Sequence, residues 1–283
     1  MPPLVFIFDL DATMIGDTVD MNHYDGLLDF VKKSCAIKAI GDAAPCRTPP
    51  RRSVAPPELV RPGMRRALAD IRKSFPRAAF FVFSSGVASH VKKYVELVER
   101  GAGHGVRFSR PLFSRESCVR DENNSTVKMA ATVLPAIARA LHVSVESLED
   151  RYILVDDRTD DVLWDVPSKR ILCSPYEYTP VVEVDEALLR LIHGTPMLRD
   201  HVDDVKPPYM PVLGKCDRTF TQLAATYYRF VASRLKHVSR ANKLELRDTF
   251  MQRFVSAVRR HARGARPFSA PNVARINKDL AGL

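Results

Sequence analysis

Two kinds of apolar pattern alternate along the chain. Short unbroken runs occur at Leu4–Phe8 (LVFIF), Ala78–Phe83 (AAFFVF) and Tyr152–Val155 (YILV), with a shorter one at Arg170–Cys173. Each is too short for a helix and apolar at successive positions, which predicts strands buried on both faces. Between them apolar residues recur at helical spacing: Leu27, Leu28 and Val31 within Asp25–Ser34, then Met64, Leu68 and Ile71 within Gly63–Ser74, and again over Ser89–Glu99. Val127–Leu141 has the same period with Pro135 inside it, so that helix starts late or kinks. Strands alternating with helices predict an α/β fold, with a mainly parallel sheet and helices on both faces. Phe220–Leu235 and Leu244–Arg260 read as two further amphipathic helices with arginines on their polar faces. Ala44–Pro62 is too rich in proline for a regular helix or a central strand and reads as a loop or an inserted flap. The expected organisation is a domain over 1–210, with an insertion at about 17–60, and a basic helical C-terminal extension over 211–283. No internal repeat is visible.

Length and composition narrow the class. A chain of 283 residues can bury a substantial core. Its cysteines, Cys35, Cys46, Cys118, Cys173 and Cys216, are odd in number and scattered, with no C-x-x-C pair. This argues against a zinc site or a disulfide framework and for free thiols in a reducing compartment. No apolar run approaches the length that spans a bilayer, and the opening segment lacks the basic start and small-residue cleavage pattern of a signal peptide. The expectation is an intracellular protein, in nucleus or cytoplasm, with no membrane partner.

Charge separates the two parts. Of 43 Lys and Arg and 33 Asp and Glu, 14 basic and 4 acidic residues fall in Cys216–Leu283, which leaves 29 of each in 1–215. The whole excess of +10 therefore lies in the last quarter. Three roles fit it: nucleic-acid binding, recruitment of an acidic partner or phosphoprotein, or structural helices with a solvated basic face. Val258–Arg266 (VRRHARGAR) also has the composition of a nuclear localisation signal.

The candidate chemistry lies at the strand ends. The first strand runs into Asp9 and Asp11, the second into Ser84 and Ser85, the third into Asp156 and Asp157. In parallel sheets ligands bind beyond the carboxyl ends of the strands, so these residues converge if the strands are neighbours. A carboxylate at the end of a buried strand is desolvated and costly without positive compensation, which points to a metal ion. A lone D-x-D-x-T is equally a strand-end turn or a helix cap. The ordered set carries more weight.

That set resembles the haloacid dehalogenase-like phosphohydrolases. Asp9-Leu10-Asp11-Ala12-Thr13 is similar to their first motif, D-x-D-x-T, and Ser84 to the second. Lys128 is placed like the third-motif lysine and Asp156-Asp157 like the fourth-motif acidic pair. "RPGMRRALADI" (Arg61–Ile71), "LFSRESCV" (Leu112–Val119) and the "TVK" ending at Lys128 resemble the branch that holds the RNA polymerase II C-terminal-domain phosphatases. Ala12 replaces that branch's usual glutamate, Ser84 its usual threonine, and Asp157 stands where some members carry asparagine.

The resemblance implies a Rossmann-like fold of this family and a set of roles. Asp9 would be the nucleophile that forms an aspartyl-phosphate, and Asp11 the acid that protonates the leaving oxygen and then activates water. Magnesium would be held by the Asp9 carboxylate, the Asp11 backbone carbonyl and Asp157, with Asp156 behind. Ser84 would bond a phosphoryl oxygen and Lys128 neutralise charge. Thr13, Ser85 and Arg115 complete the substrate-binding set, Arg115 as a bidentate fork on phosphate or, equally, in a surface salt bridge. Asp160 and Asp161 read as a solvated acidic turn, Trp164 and the phenylalanines as core, and the eight histidines receive no role.

A magnesium-dependent protein serine/threonine phosphatase is thus the leading expectation, its substrate a phosphoprotein similar to the RNA polymerase II tail. A nucleic-acid end (5′ or 3′) or small-molecule phosphatase of the same fold is one alternative. A scaffold or assembly protein binding through its basic tail is another.

Overall fold

The four strands expected from the apolar runs pair in one sheet in the computed structural model, which describes residues 2–18, 21–22, 24–26, 28–29, 55–100, 107–158, 165–180 and 220–282. They are β1 (Val5–Phe8), β2 (Ala79–Val82), β5 (Tyr152–Asp156) and β6 (Arg170–Leu172). The order is β2-β1-β5-β6 and every pairing is parallel. β1, β2 and β5 are buried at every position, which is why their sequences are apolar without alternation. A short antiparallel hairpin, β3 (Val119–Arg120) with β4 (Thr126–Val127), stands apart from the sheet.

The helices are α1 (Met64–Ser74), α2 (Ala88–Arg100), α3 (Ala130–Leu141), α4 (Phe220–Glu245), α5 (Phe250–His261) and α6 (Ala270–Ala281). The helix expected over Val127–Leu141 starts late, at Ala130, and keeps Pro135 inside it. Its start is set from a distance: Asp165 accepts the backbone N–H groups of Ala130 and Ala131 at 3.0 and 2.9 Å, orphan donors at a helix N-terminus. Met21–Asn22, Tyr24–Gly26 and Leu28–Asp29 are helical, earlier than the Asp25 start expected.

Two compact units divide the chain. The first comprises Met1–Gly16, Pro57–Glu177 and Glu245–Leu283; the second comprises Asp17–Pro56 and Tyr178–Leu244. The expected partition put one boundary near 210, whereas α5 and α6 belong to the unit that holds the sheet. The reason lies in the pleat. Val5 and Ile7 face one side of the sheet, where they pack with Phe81, Leu154 and the α3 residues Val133 and Ile137. Phe6 and Phe8 face the other, and Phe254 of α5 meets both edge-on, at centroid distances of 6.3 and 6.1 Å. Phe268, just before α6, meets Phe6 at 5.3 Å. Helices thus cover both faces, and the second face is covered by the basic C-terminal segment.

Much of that segment's charge is spent within the same unit. Arg259 reaches the Asp70 carbonyl and the Ser74 hydroxyl of α1, Arg260 pairs with Asp279 at 2.8 Å, and Arg266 pairs with Asp150.

In the second unit, Met21, Tyr24, Leu28 and Val231 of α4 are buried. The Asn242 side chain closes both backbone groups of Thr179, at 3.0 and 2.9 Å. Most of the Pro/Arg-rich stretch, Asp160, Asp161, Trp164, Cys35, Cys46 and Cys216 lie outside the described residues. Among the described residues, no helix is long and apolar enough to cross a membrane.

Candidate active site

Sheet register builds the centre of the site. Phe8 is level with Val82 on one side and with Val155 on the other, and the Asp9 N–H donates to the Val155 carbonyl at 2.9 Å. Asp9 therefore stands beside Asp156, at the carboxyl ends of two neighbouring parallel strands. The β3–β4 hairpin, followed by the capped start of α3, delivers Lys128 above them. Its ammonium donates to Asp9 Oδ1 and, at 2.7 Å, to Asp156 Oδ2, and it lies 5.9 Å from the centroid of the Phe83 ring. Lys128, expected to neutralise charge and to lie within the helix over Val127–Leu141, stands just before α3 as a buried cation between two carboxylates.

After Asp9 the chain turns sharply. Ala12 has φ of +56°, a left-handed conformation that costs a non-glycine residue about 1 kcal/mol or more. Its carbonyl is fixed by the Tyr176 N–H at 2.7 Å. The turn buries Thr13 completely, and the Thr13 hydroxyl both donates to Asp157 Oδ1 and accepts the Asp157 N–H, each at 3.1 Å. Thr13, expected among the substrate-binding residues, braces Asp157 from behind. Its hydroxyl also lies 3.6 Å from the Cys173 sulfur.

A pocket of about 230 Å³ opens over this centre, lined by Asp9, Asp11, Ala12, Ser85, Thr126, Lys128, Asp157 and Arg158. Ser84 lies behind it, buried, its Oγ accepting the Gly86 N–H at 3.0 Å. Arg115 sits on an adjoining turn, where its Nε donates to the Ser85 carbonyl at 2.9 Å and its backbone N–H to Gly86. That contact fixes the Ser84–Gly86 loop in place of the acidic partner weighed for Arg115.

Three side chains that the sequence left unassigned complete the arrangement. His90 Nε2 lies 2.8 Å from Asp11 Oδ1. Arg158 joins the pocket lining, and its N–H donates to Asp156 Oδ1 at 2.9 Å. Arg61 is buried under the turn and donates to the Thr13 carbonyl at 3.2 Å, the Ser174 carbonyl at 2.9 Å and Asp248 Oδ2 at 2.7 Å. Its guanidinium lies 4.6 Å from the Phe250 ring centroid. It therefore ties the Asp9–Thr13 turn to the start of α5. For His90 no spacing in the sequence carries a signal. For Arg61 the "RPG" patch marks the residue without marking its burial.

Electrostatics suit a cation. One carboxylate oxygen from each of Asp9, Asp156 and Asp157 lies within 4.8 Å of the others. Burial pushes Asp9 up to about 8; Lys128 opposes this, while the charges of Asp156 and Asp11 add to it. Burial, then the charge of Asp156, also raises Asp157. Burial disfavours the Lys128 ammonium, yet Asp9 and Asp156 outweigh it and hold its pKa above the ordinary lysine range. One ammonium does not neutralise three carboxylates, and a hard divalent cation matches this oxygen donor set. Both oxygens of Asp156 are engaged, by Lys128 and by the Arg158 N–H. Asp9 and Asp157 are thus the better direct ligands.

The thiols near the site are poor nucleophiles: burial raises Cys118 and pushes Cys173 up to about 12.

No family model matches the sequence, and no curated protein matches it. Two of the solved structures that the chain is similar to are forms of one protein. One is a variant of the fission yeast RNA polymerase II CTD phosphatase Fcp1 bound to beryllium fluoride, with a TM-score of 0.41 and 15% identity over 92% of this chain and 63% of that one. The other is Fcp1, an essential RNA polymerase II CTD phosphatase, with a TM-score of 0.38 and 16% identity over 92% and 64%. The chain spans less than two thirds of either.

Proposed function

We propose that this chain is a magnesium-dependent phosphomonoesterase that works through an aspartyl-phosphate on Asp9. The supporting observation is the convergence of Asp9, Asp11, Lys128 and Asp157 on one pocket at the carboxyl end of a parallel sheet. An Asp9 oxygen attacks phosphorus, and the bond from phosphorus to the leaving oxygen breaks. Asp11 supplies the proton that oxygen needs. Water then attacks the aspartyl-phosphate, gives its proton to Asp11 and releases inorganic phosphate, restoring Asp9. Lys128 holds Asp9 in place and offsets the charge of the incoming phosphoryl group. Ser85 and Arg158 face the same space, where phosphoryl oxygens would lie. Magnesium held by Asp9, Asp157 and the Asp11 carbonyl would supply further charge neutralisation.

The substrate reading is a phosphoprotein bearing phosphoserine or phosphothreonine. It rests on the similarity of Arg61–Ile71, Leu112–Val119 and the TVK ending at Lys128 to the C-terminal-domain phosphatase branch. Nothing in the packing of α5 and α6 favours the scaffold alternative, since many of their basic side chains have partners within their own unit. The test is phosphate release from a phosphoserine peptide, with magnesium and with EDTA, by the native protein and by Asp9→Asn. Magnesium-dependent release that disappears in D9N supports the reading. Native protein that releases no phosphate from this peptide or from an aryl phosphate refutes it.

A further inference from the structure

The histidine of α2 stands beside the carboxylate that the proposed reaction uses for proton transfer. Asp11 lies on a turn with its side chain 44% exposed. His90 is in the first turn of α2 and mostly buried. Its ring packs on the buried Tyr94 ring, with centroids 4.7 Å apart, and its Nε2 meets Asp11 Oδ1 at 2.8 Å.

The approach to this pair is shaped by Gly86. A Cβ there would sit 3.0 Å from His90 Cδ2 and 3.2 Å from Ser84 Oγ, so a side chain would displace the ring. Gly86 is itself fixed at both backbone groups: its N–H donates to Ser84 Oγ at 3.0 Å, and its carbonyl accepts the Arg115 N–H at 2.8 Å. Asp11 Oδ2 faces this glycine, 3.7 Å from the same Cβ position.

We infer that His90 is a positioning residue for Asp11: its Nε2–H holds Oδ1 and leaves Oδ2 to exchange the proton. This rests on the reading of Asp11 as the acid and base of the phosphatase. In the first step the Oδ2 proton passes to the leaving oxygen as the bond from phosphorus to that oxygen breaks. In the second, Oδ2 takes a proton from water as water bonds to phosphorus and the Asp9–phosphorus bond breaks. His90 keeps its own proton throughout and acts through orientation alone, in the way a misdirected catalytic group costs rate more than binding.

The experiment compares His90→Gln with His90→Met, two unbranched side chains of similar size of which only glutamine can donate to Oδ1. Steady-state release from a phosphoserine peptide is measured with magnesium, alongside Asp11→Asn. H90M is expected to lose about tenfold or more in kcat with KM changed less than about twofold, and H90Q to keep at least about half the native kcat. Equal rates for H90M and H90Q, or native kcat in H90M, overturn the inference while D11N remains inactive. Native kcat in D11N overturns the reading of Asp11 and the inference with it. A native protein without phosphatase activity refutes the reading beneath both.

Discussion

Replacing Asp9 with asparagine should make the metal-free protein more stable. Asp9 is buried, and its pKa stands at about 8 against an ordinary 3.8. The folded state therefore binds a proton that the unfolded state has released across roughly pH 4 to 8. Stability falls as pH rises through that window and is lowest above it. At about 1.4 kcal/mol per pH unit the displacement sets a ceiling of about 6 kcal/mol. Relaxation of the site and the loss of the charge opposite Lys128 reduce the expected gain in D9N to about 2–3 kcal/mol at pH 8.5. Lys128 keeps Asp156 at 2.7 Å, and the asparagine oxygen can still accept from it. The assay is thermal unfolding in EDTA at pH 5 and pH 8.5. D9N should melt several degrees above the native protein at pH 8.5, with the gap closing towards pH 5. Saturating magnesium should reverse the order, because ligand at a hundredfold excess over its dissociation constant adds about 2.7 kcal/mol to the form that binds it. A D9N protein that melts below the native one in EDTA at pH 8.5 would refute the reasoning.

Other substitutions test the supports of the site. Phe254→Ala removes the ring that packs on Phe6 and Phe8 and should cost about 3–5 kcal/mol in urea unfolding, with phosphatase activity lost at lower denaturant than in the native protein. Thr13→Val keeps the shape but frees Asp157 on both of its hydrogen bonds, so the magnesium concentration for half-maximal activity should rise about tenfold or more. Asp248→Asn leaves the buried Arg61 guanidinium without its charge partner; a loss of about 3 kcal/mol is expected, with the midpoint of unfolding as the readout.

What was legible in the sequence was local. β1, β2 and β5 announced themselves because a strand covered on both faces has no polar positions to disguise it, and their polar ends marked the site. The placement of Lys128 was less accessible. β3 and β4 have two residues each, too few to show a period, and the start of α3 depends on Asp165, 35 residues away. The same holds for Arg61, whose partner Asp248 is 187 residues distant. The C-terminal segment misled for another reason. Its arginines dominate the composition, while the residues that decide its location are a few apolar ones, Phe254, Val258 and Phe268, all buried. α6, by contrast, carries local signals of its own: Ser269 before it, Pro271 in its first turn, and Val273, Ile276 and Leu280 at helical spacing.

The seat of Phe254 and Phe268 on β1 orders events during synthesis. Phe6 and Phe8 leave the ribosome some 250 positions before the rings that cover them. Until then one side of the nascent sheet is a bare aromatic surface, the kind of surface that chaperones hold and that drives aggregation. The contact also closes a loop of some 250 residues, and such non-local contacts are slow to form in folding. This face of the sheet is therefore completed only once α5 and the segment around Phe268 have been made.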